Sequence, residues 1–237
     1  MNKFAAFDID GTLIRWQLYH TIVDKLAKAG QLGANARSEL KQARMRWKRR
    51  EPGYSFTDYE RTLITIYENA LPGLDPMVFD ALIAEVINEY KDQVYTYTRD
   101  LCADLKNKGY KLLAISGSHE ELVAEIAKHY GFDDWCGTKY ERSNGGFTGS
   151  KFIASHNKQE ILTNLIAKHN LTAKNSYAIG DSQSDIPMLQ MVQNPIAFNP
   201  NQELYNAAKQ NGWQIVIERK NVVYELTKTK TNYELAD

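Results

Sequence analysis

The segment Phe4-Ala5-Ala6-Phe7-Asp8-Ile9-Asp10-Gly11-Thr12-Leu13 limits what this chain can fold into more than any other stretch. A short apolar run without alternation reads as a strand buried on both faces, the kind found in parallel sheets. Two carboxylates then stand where that strand must end and where Gly11 must turn the chain. Asp8 and Asp10 are two residues apart, so in extended backbone their side chains leave on the same side. Carboxylates that close repel each other unless a cation lies between them. A hard divalent ion with oxygen ligands fits, and Mg²⁺ is the usual choice where phosphate is also bound. The plainer reading of these residues alone is an Asx turn with a solvated acid.

From about Arg15 to Val94 the pattern is helical. Leu18, Ile22 and Leu26 recur at helical spacing up to Gly30, and Leu40 and Trp47 mark a second helix that Pro52-Gly53 breaks. Tyr59, Leu63, Ile66 and Tyr67 mark a third, stopped by Pro72-Gly73. Asp75-Pro76 opens a fourth with Phe79, Ile83 and Val86 on its apolar face. From Thr98 helices and strands alternate. The strand Lys111–Ile115 leads to the turn Ser116-Gly117-Ser118, where Ser118 and Glu121 form a capping-box signature. Asn144-Gly145 between Tyr140 and Phe147 suggests a hairpin. Asn157 reads as the N-cap of a helix that begins at Lys158. The strand around Tyr177–Ile179 runs into Gly180-Asp181-Ser182-Gln183-Ser184-Asp185. Pro195–Phe198, a helix after Asn201 and the strand Trp213–Ile217 complete the alternation, and the polar tail from about Lys220 reads as surface that frays.

These elements predict an α/β protein with a Rossmann-like three-layer core, a parallel sheet and an inserted helical domain. The core is expected over residues 1–14 and 95–237, and the helical cap domain over 15–94. Parallel strands bring their carboxyl ends to one edge, so Asp8 with Asp10, Ser116, and Asp181 with Asp185 should converge.

At 237 residues the chain can bury a core and a second small domain. Lys plus Arg and Asp plus Glu are equal at 29 each, so no global field draws the protein to nucleic acid or an anionic membrane. The first residues run straight into a strand without a basic-then-apolar leader, and no apolar run approaches a membrane span. The sequence therefore predicts a cytoplasmic protein, monomer or homodimer. The five histidines lack metal-ligand spacing and read as surface or supporting groups. The run Arg44–Arg50 reads as a solvated helix face, or as a surface for an anionic substrate.

Asp-x-Asp-Gly-Thr at Asp8–Thr12, Ser116, Lys158 and Gly-Asp-x-x-x-Asp at Gly180, Asp181 and Asp185 together resemble the haloacid dehalogenase superfamily, in its phosphoserine-phosphatase-like branch. The resemblance implies a Mg²⁺-dependent phosphomonoesterase with a small-molecule partner, in which Asp8 attacks phosphorus and forms an aspartyl-phosphate. Asp10 would serve as general acid and base, and Ser116, Gly117 and Lys158 would bind the phosphoryl group. The metal would be held by Asp8, the Asp10 carbonyl and Asp181, with Asp185 beside them. Lys151 after Gly149 competes with Lys158, and Asp185 could serve only as an N-cap. Gln17 stands where phosphoserine-specific relatives carry Glu, and a neutral amide pairs poorly with an ammonium. A phosphomutase shares these motifs, and a receiver domain shares the Asp, hydroxyl, Lys and Mg²⁺ chemistry.

Overall fold

The computed structural model describes every residue except 1, 144, 231 and 237. The strand β1 (Asn2–Phe7) is followed by the helices α1 (Leu18–Lys28), α2 (Ala36–Lys48), α3 (Phe56–Ala70), α4 (Pro76–Tyr90) and α5 (Thr96–Asn107). Then come β2 (Lys111–His119), α6 (Glu120–Tyr130), β3 (Asp134–Ser143), β4 (Gly146–Phe152), α7 (Lys158–His169) and β5 (Leu171–Gly180). The chain closes with α8 (Ile186–Leu189), β6 (Asn194–Phe198), α9 (Gln202–Asn211), β7 (Gln214–Arg219), β8 (Val222–Lys228) and β9 (Tyr233–Leu235). It divides into a core unit, Met1–Gln17, Glu89–Thr138 and Ile153–Asp237, and a helical unit, Leu18–Asn88 and Lys139–Phe152.

In the core unit the strands follow the order β3-β2-β1-β5-β6-β7-β8-β9. Pairing is parallel from β3 to β7 and antiparallel for the last two strands. β1 lies inside this sheet, which is why Phe4, Ala5, Ala6 and Phe7 are all apolar and fully buried. Alternate residues face opposite layers. Phe4 and Ala6 pack in the cluster that holds Leu162 and Leu165 of α7, Met188 of α8 and Leu204 of α9. Phe7 instead meets the edge of Phe132, just beyond α6, at 5.6 Å. The register sets Phe7 opposite Ala114 of β2 and Ile179 of β5. Asp8, the end of β2 and Asp181 therefore emerge at one level of the sheet, as the sequence predicted.

The excursion to the helices leaves and re-enters this unit through a paired gate. Ile14 bridges Val94, Arg15 N–H donates to Gln93 O at 2.8 Å, and Tyr95 N–H donates to Leu13 O at 3.0 Å. The buried Glu218 of β7 then accepts the N–H groups of Thr96 and Tyr97 at 3.1 and 2.9 Å, so a carboxylate caps the start of α5.

The helical unit is held by rings. Tyr59 and Tyr67 of α3 are completely covered, His20 packs on Phe56 and Tyr59, and Tyr19 and Tyr67 meet edge to face. α3 starts with a closed capping box in which Ser55 Oγ accepts the Asp58 N–H and Asp58 Oδ2 accepts the Ser55 N–H.

Several expectations are corrected. Residues 139–152 were expected in the core but group with the helices. There Arg142 forks onto Asp80 at 2.8 and 3.0 Å and lies over Phe79 and Phe147, while Lys151 pairs with Glu68. The two units divide at 17/18 and 88/89, a few residues inside the gate at Ile14 and Val94 where the sequence sets the bounds 14/15 and 94/95. The hairpin itself forms, with Asn144 of its turn outside the described residues. The tail does not fray as a whole: Val222–Lys228 and Tyr233–Leu235 add two antiparallel strands to the sheet. β2 runs on to His119, and the cap position of α6 falls at His119 rather than Ser118. Asn157 stands at the cap position of α7, yet its amide turns back to Ile153 O at 2.8 Å. Of the histidines read as surface or supporting groups, His20 and His119 are buried.

Candidate active site

The carboxyl ends of β1, β2 and β5 deliver the predicted residues to one place in the core unit. Asp8 continues the ladder through its N–H to Ile179 O at 2.9 Å, and Gly11, at φ +81°, turns the chain away. A side chain on Gly11 would run into the Asp181 carboxylate, so only glycine lets this backbone and Asp181 approach so closely. Thr12 Oγ1 donates to Asp8 Oδ2 at 3.1 Å, and Thr98 Oγ1 fixes the Thr12 carbonyl at 2.8 Å.

Lys158, at the first position of α7, is 2% exposed, and its ammonium lies between two carboxylates. It donates to Asp8 Oδ1 at 2.7 Å and to Asp185 Oδ1 at 2.5 Å. The second oxygen of Asp185 accepts the N–H groups of Asp181 and Ser182 and the Ser182 hydroxyl, at 3.2, 3.0 and 3.1 Å. Asp185 is thus a fully buried brace of the loop rather than a simple helix cap. Ser116 Oγ donates to Asp10 Oδ2 at 2.7 Å and accepts the Ser118 N–H at 3.1 Å. Gly117, beside it, packs so near Ser155 that an added Cβ would come within 3.2 Å of the serine's own Cβ.

The predicted residues Asp8, Asp10, Ser116, Lys158, Asp181 and Asp185 are therefore joined by contacts around one loop cluster. Lys151 is not: it belongs to the helical unit. The Asp10 carboxylate engages Ser116, whereas the oxygens that lie within 4.8 Å of one another come from Asp8, Asp181 and Asp185. Sequence reasoning missed the part played by Thr98 and Ser182. Thr98 carries no local motif, since its partner is a backbone carbonyl from the far end of the insertion. Ser182 sits inside the Gly-Asp-x-x-x-Asp pattern at a position the pattern leaves open.

Electrostatics tests whether these residues suit a cation. Burial pushes the Asp8 carboxyl up to about 7, the charges of Asp185 and Asp10 add to that push, and Lys158 opposes it. Asp181 is held well above the usual carboxylate range by burial and by Asp8 and Asp185. Burial alone would lower Lys158, but Asp185 and Asp8 keep it above its ordinary value. One ammonium thus faces more carboxylate charge than it can offset. Three oxygen donors on a sheet edge, short of positive charge, are the donor set of a hard divalent ion.

The model for haloacid dehalogenase-like hydrolases matches residues 5–190. The chain belongs to that family. Among curated relatives, the chain is 26% identical over 230 residues to a histidinol-phosphatase of Neisseria meningitidis, covering 91% of this chain and 99% of that one. It is 30% identical over 148 residues to the phosphoserine phosphatase SerB1 of Mycobacterium tuberculosis, covering 61% of this chain. The matched residues span about half the length, 46%, of that relative. Among solved structures, a Bordetella pertussis protein of unknown function matches the chain with a TM-score of 0.72 at 23% identity, over 92% of this chain and 99% of that one. A phosphoserine phosphatase in its apo form matches with a TM-score of 0.65 at 21% identity, over 93% and 96%. These structures share the α/β fold with the chain.

Proposed function

We propose that this hydrolase releases inorganic phosphate from a small phosphomonoester through an aspartyl-phosphate on Asp8. The buried Lys158 ammonium 2.7 Å from Asp8 Oδ1 carries this reading, because it sets a positive charge against the carboxylate and opposes the protonation that burial favours. An Asp8 oxygen bonds to phosphorus as the ester P–O bond breaks, and Asp10 gives its proton to the leaving oxygen. Water then attacks phosphorus, Asp10 takes back a proton, and the bond to Asp8 breaks to free phosphate. The Ser116 hydroxyl, 2.7 Å from Asp10 Oδ2, keeps that carboxyl oriented and stands ready, with Lys158 and the Gly117 backbone, for phosphoryl oxygens. Asp8, Asp181 and the Asp10 main chain would hold Mg²⁺, with Asp185 bracing the loop. The ion would offset the charge of an anionic nucleophile meeting an anionic phosphate.

The fold likeness and the named relatives favour amino-alcohol phosphates such as histidinol phosphate and phosphoserine as first substrates to try. Gln17 weighs against phosphoserine, since an amide offers an ammonium no counter-charge. We assign substrate choice to the helical unit. The test is phosphate release from a panel of phosphomonoesters with Mg²⁺, with chelator and with Asp8→Asn. Release that requires both metal and Asp8 supports the reading. A phosphorylated isomer without free phosphate would replace it by a mutase, and neither product from a folded protein would overturn it.

A further inference from the structure

A cleft of about 410 Å³ lies wholly within the helical unit, where α2 runs out and the chain turns into α3. That volume is in the range of small-molecule sites. Its walls are aromatic rings fixed from behind. Trp47 stacks on Tyr59 with ring centres 5.8 Å apart and planes 4° from parallel, and it meets Phe56 edge-on at 5.0 Å. Tyr54 is held by the Arg46 guanidinium, 4.1 Å from its ring centre.

The basic run read from the sequence as one solvated face is divided in two by the fold. Arg44 is committed to Asp24 and to the Tyr59 hydroxyl. Arg46 is committed to Glu51, by a fork of 3.0 and 2.9 Å. Glu51 also lines the cleft, but this fork already occupies its carboxylate. Ser55 is occupied in closing the start of α3. Lys48 and Arg50 remain on the lining, both exposed, and among the described residues neither enters an ion pair. Two uncommitted cations thus stand beside three rings that are already ordered, so a ligand would find its contacts prepared.

We propose that this cleft binds a small anion bearing a planar ring, of the nucleoside-monophosphate class, with its ring against Trp47, Tyr54 and Phe56 and its phosphate against Lys48 and Arg50. The ring gains aromatic stacking and the phosphate gains charge-assisted hydrogen bonds.

The test uses full-length Asp8→Asn protein in chelator, so that turnover cannot consume the probe, and follows tryptophan emission as adenosine 5′-monophosphate is added. Saturable quenching is expected, and Trp47→Phe should remove the signal that Trp16, Trp135 and Trp213 would otherwise share. Lys48→Ala with Arg50→Ala should weaken binding by about tenfold or more, with circular dichroism confirming the fold. Adenosine, which lacks the charge, and ribose 5-phosphate, which lacks the ring, should each bind about tenfold more weakly. Quenching that does not saturate by about 1 mM, the weak end of specific small-molecule affinity, overturns the proposal. Binding that survives loss of Lys48 and Arg50, or ribose 5-phosphate bound as well as the nucleotide, also overturns it. None of these results bears on phosphate release by the parent enzyme.

Discussion

Lys151 and Lys158 lie in neighbouring stretches of chain and both end on carboxylates, yet they belong to different units. Lys151 is on the hairpin of the helical unit, its side chain 37% exposed, paired with a partly exposed Glu68. Lys158 is 2% exposed between Asp8 and Asp185, which are 6% and 0% exposed. Water already solvates the first pair, so forming it gains little. The second has been stripped of water, so each charge depends on the others, and removing one leaves the rest uncompensated. Ion pairing marks function here only where burial makes it obligatory.

The most severe way to break this contrast is to remove the group that Lys158 serves. Asp8→Asn should lower phosphate release by about four orders of magnitude or more while the protein stays folded, measured by phosphate assay beside circular dichroism. Lys158→Ala should also destabilise the protein, by about 3–5 kcal/mol in urea unfolding, because two buried carboxylates lose their counter-ion. An equal loss from Lys151→Ala would defeat the comparison.

Acidity sharpens it further. In the metal-free folded protein Asp8 titrates near 7, against 3.8 for the ordinary group, so the native state binds the proton more tightly than the unfolded chain does. The stability linked to that proton is complete below about pH 4 and is lost as pH rises towards 7. Asp8→Asn has no such carboxyl. Its stability relative to the metal-free parent should rise across that window and level off above it, as read from urea unfolding in chelator at several pH values. A flat difference would mean that Lys158 already satisfies Asp8 without a cation.

Ser116→Ala should cost about 1–3 kcal/mol of transition-state stabilisation in kcat/KM, since Asp10 loses a buried hydrogen bond. Least affected should be Lys151→Ala, with less than about 1 kcal/mol in unfolding and unchanged turnover.

The candidate site was legible because its residues stand at strand ends, and the run Phe4–Phe7 announces a strand whose exit must share an edge with the others. Lys158 could be preferred over Lys151 because a helix visibly begins there. What escaped the sequence depends on partners far along the chain. The hairpin's membership of the helical unit rests on Arg142 with Asp80 and Lys151 with Glu68, pairs that no local pattern reports. The last two strands are short and flank the polar run Thr227-Lys228-Thr229-Lys230, which gives the tail the composition of a loop. Ser118 has the local chemistry of a cap, but β2 continues past it, so the cap position falls one residue later, at His119.

The gate formed by Leu13–Arg15 and Gln93–Tyr95 gives the molecule a socket. Seen from the sheet, the excursion over residues 18–88 starts and finishes at one doorway, whose two jambs are hydrogen-bonded to each other and whose far side is anchored by Glu218. Because loop closure grows only slowly with length, by about 0.6 kcal/mol per doubling, the length of the excursion adds little to the cost of closing it at the jambs. A lineage could lengthen or shorten the excursion and leave the carboxylates at the strand ends where they are, so long as the hairpin keeps its pairs to Asp80 and Glu68. New specificities could then be tried on an old reaction centre without refolding it.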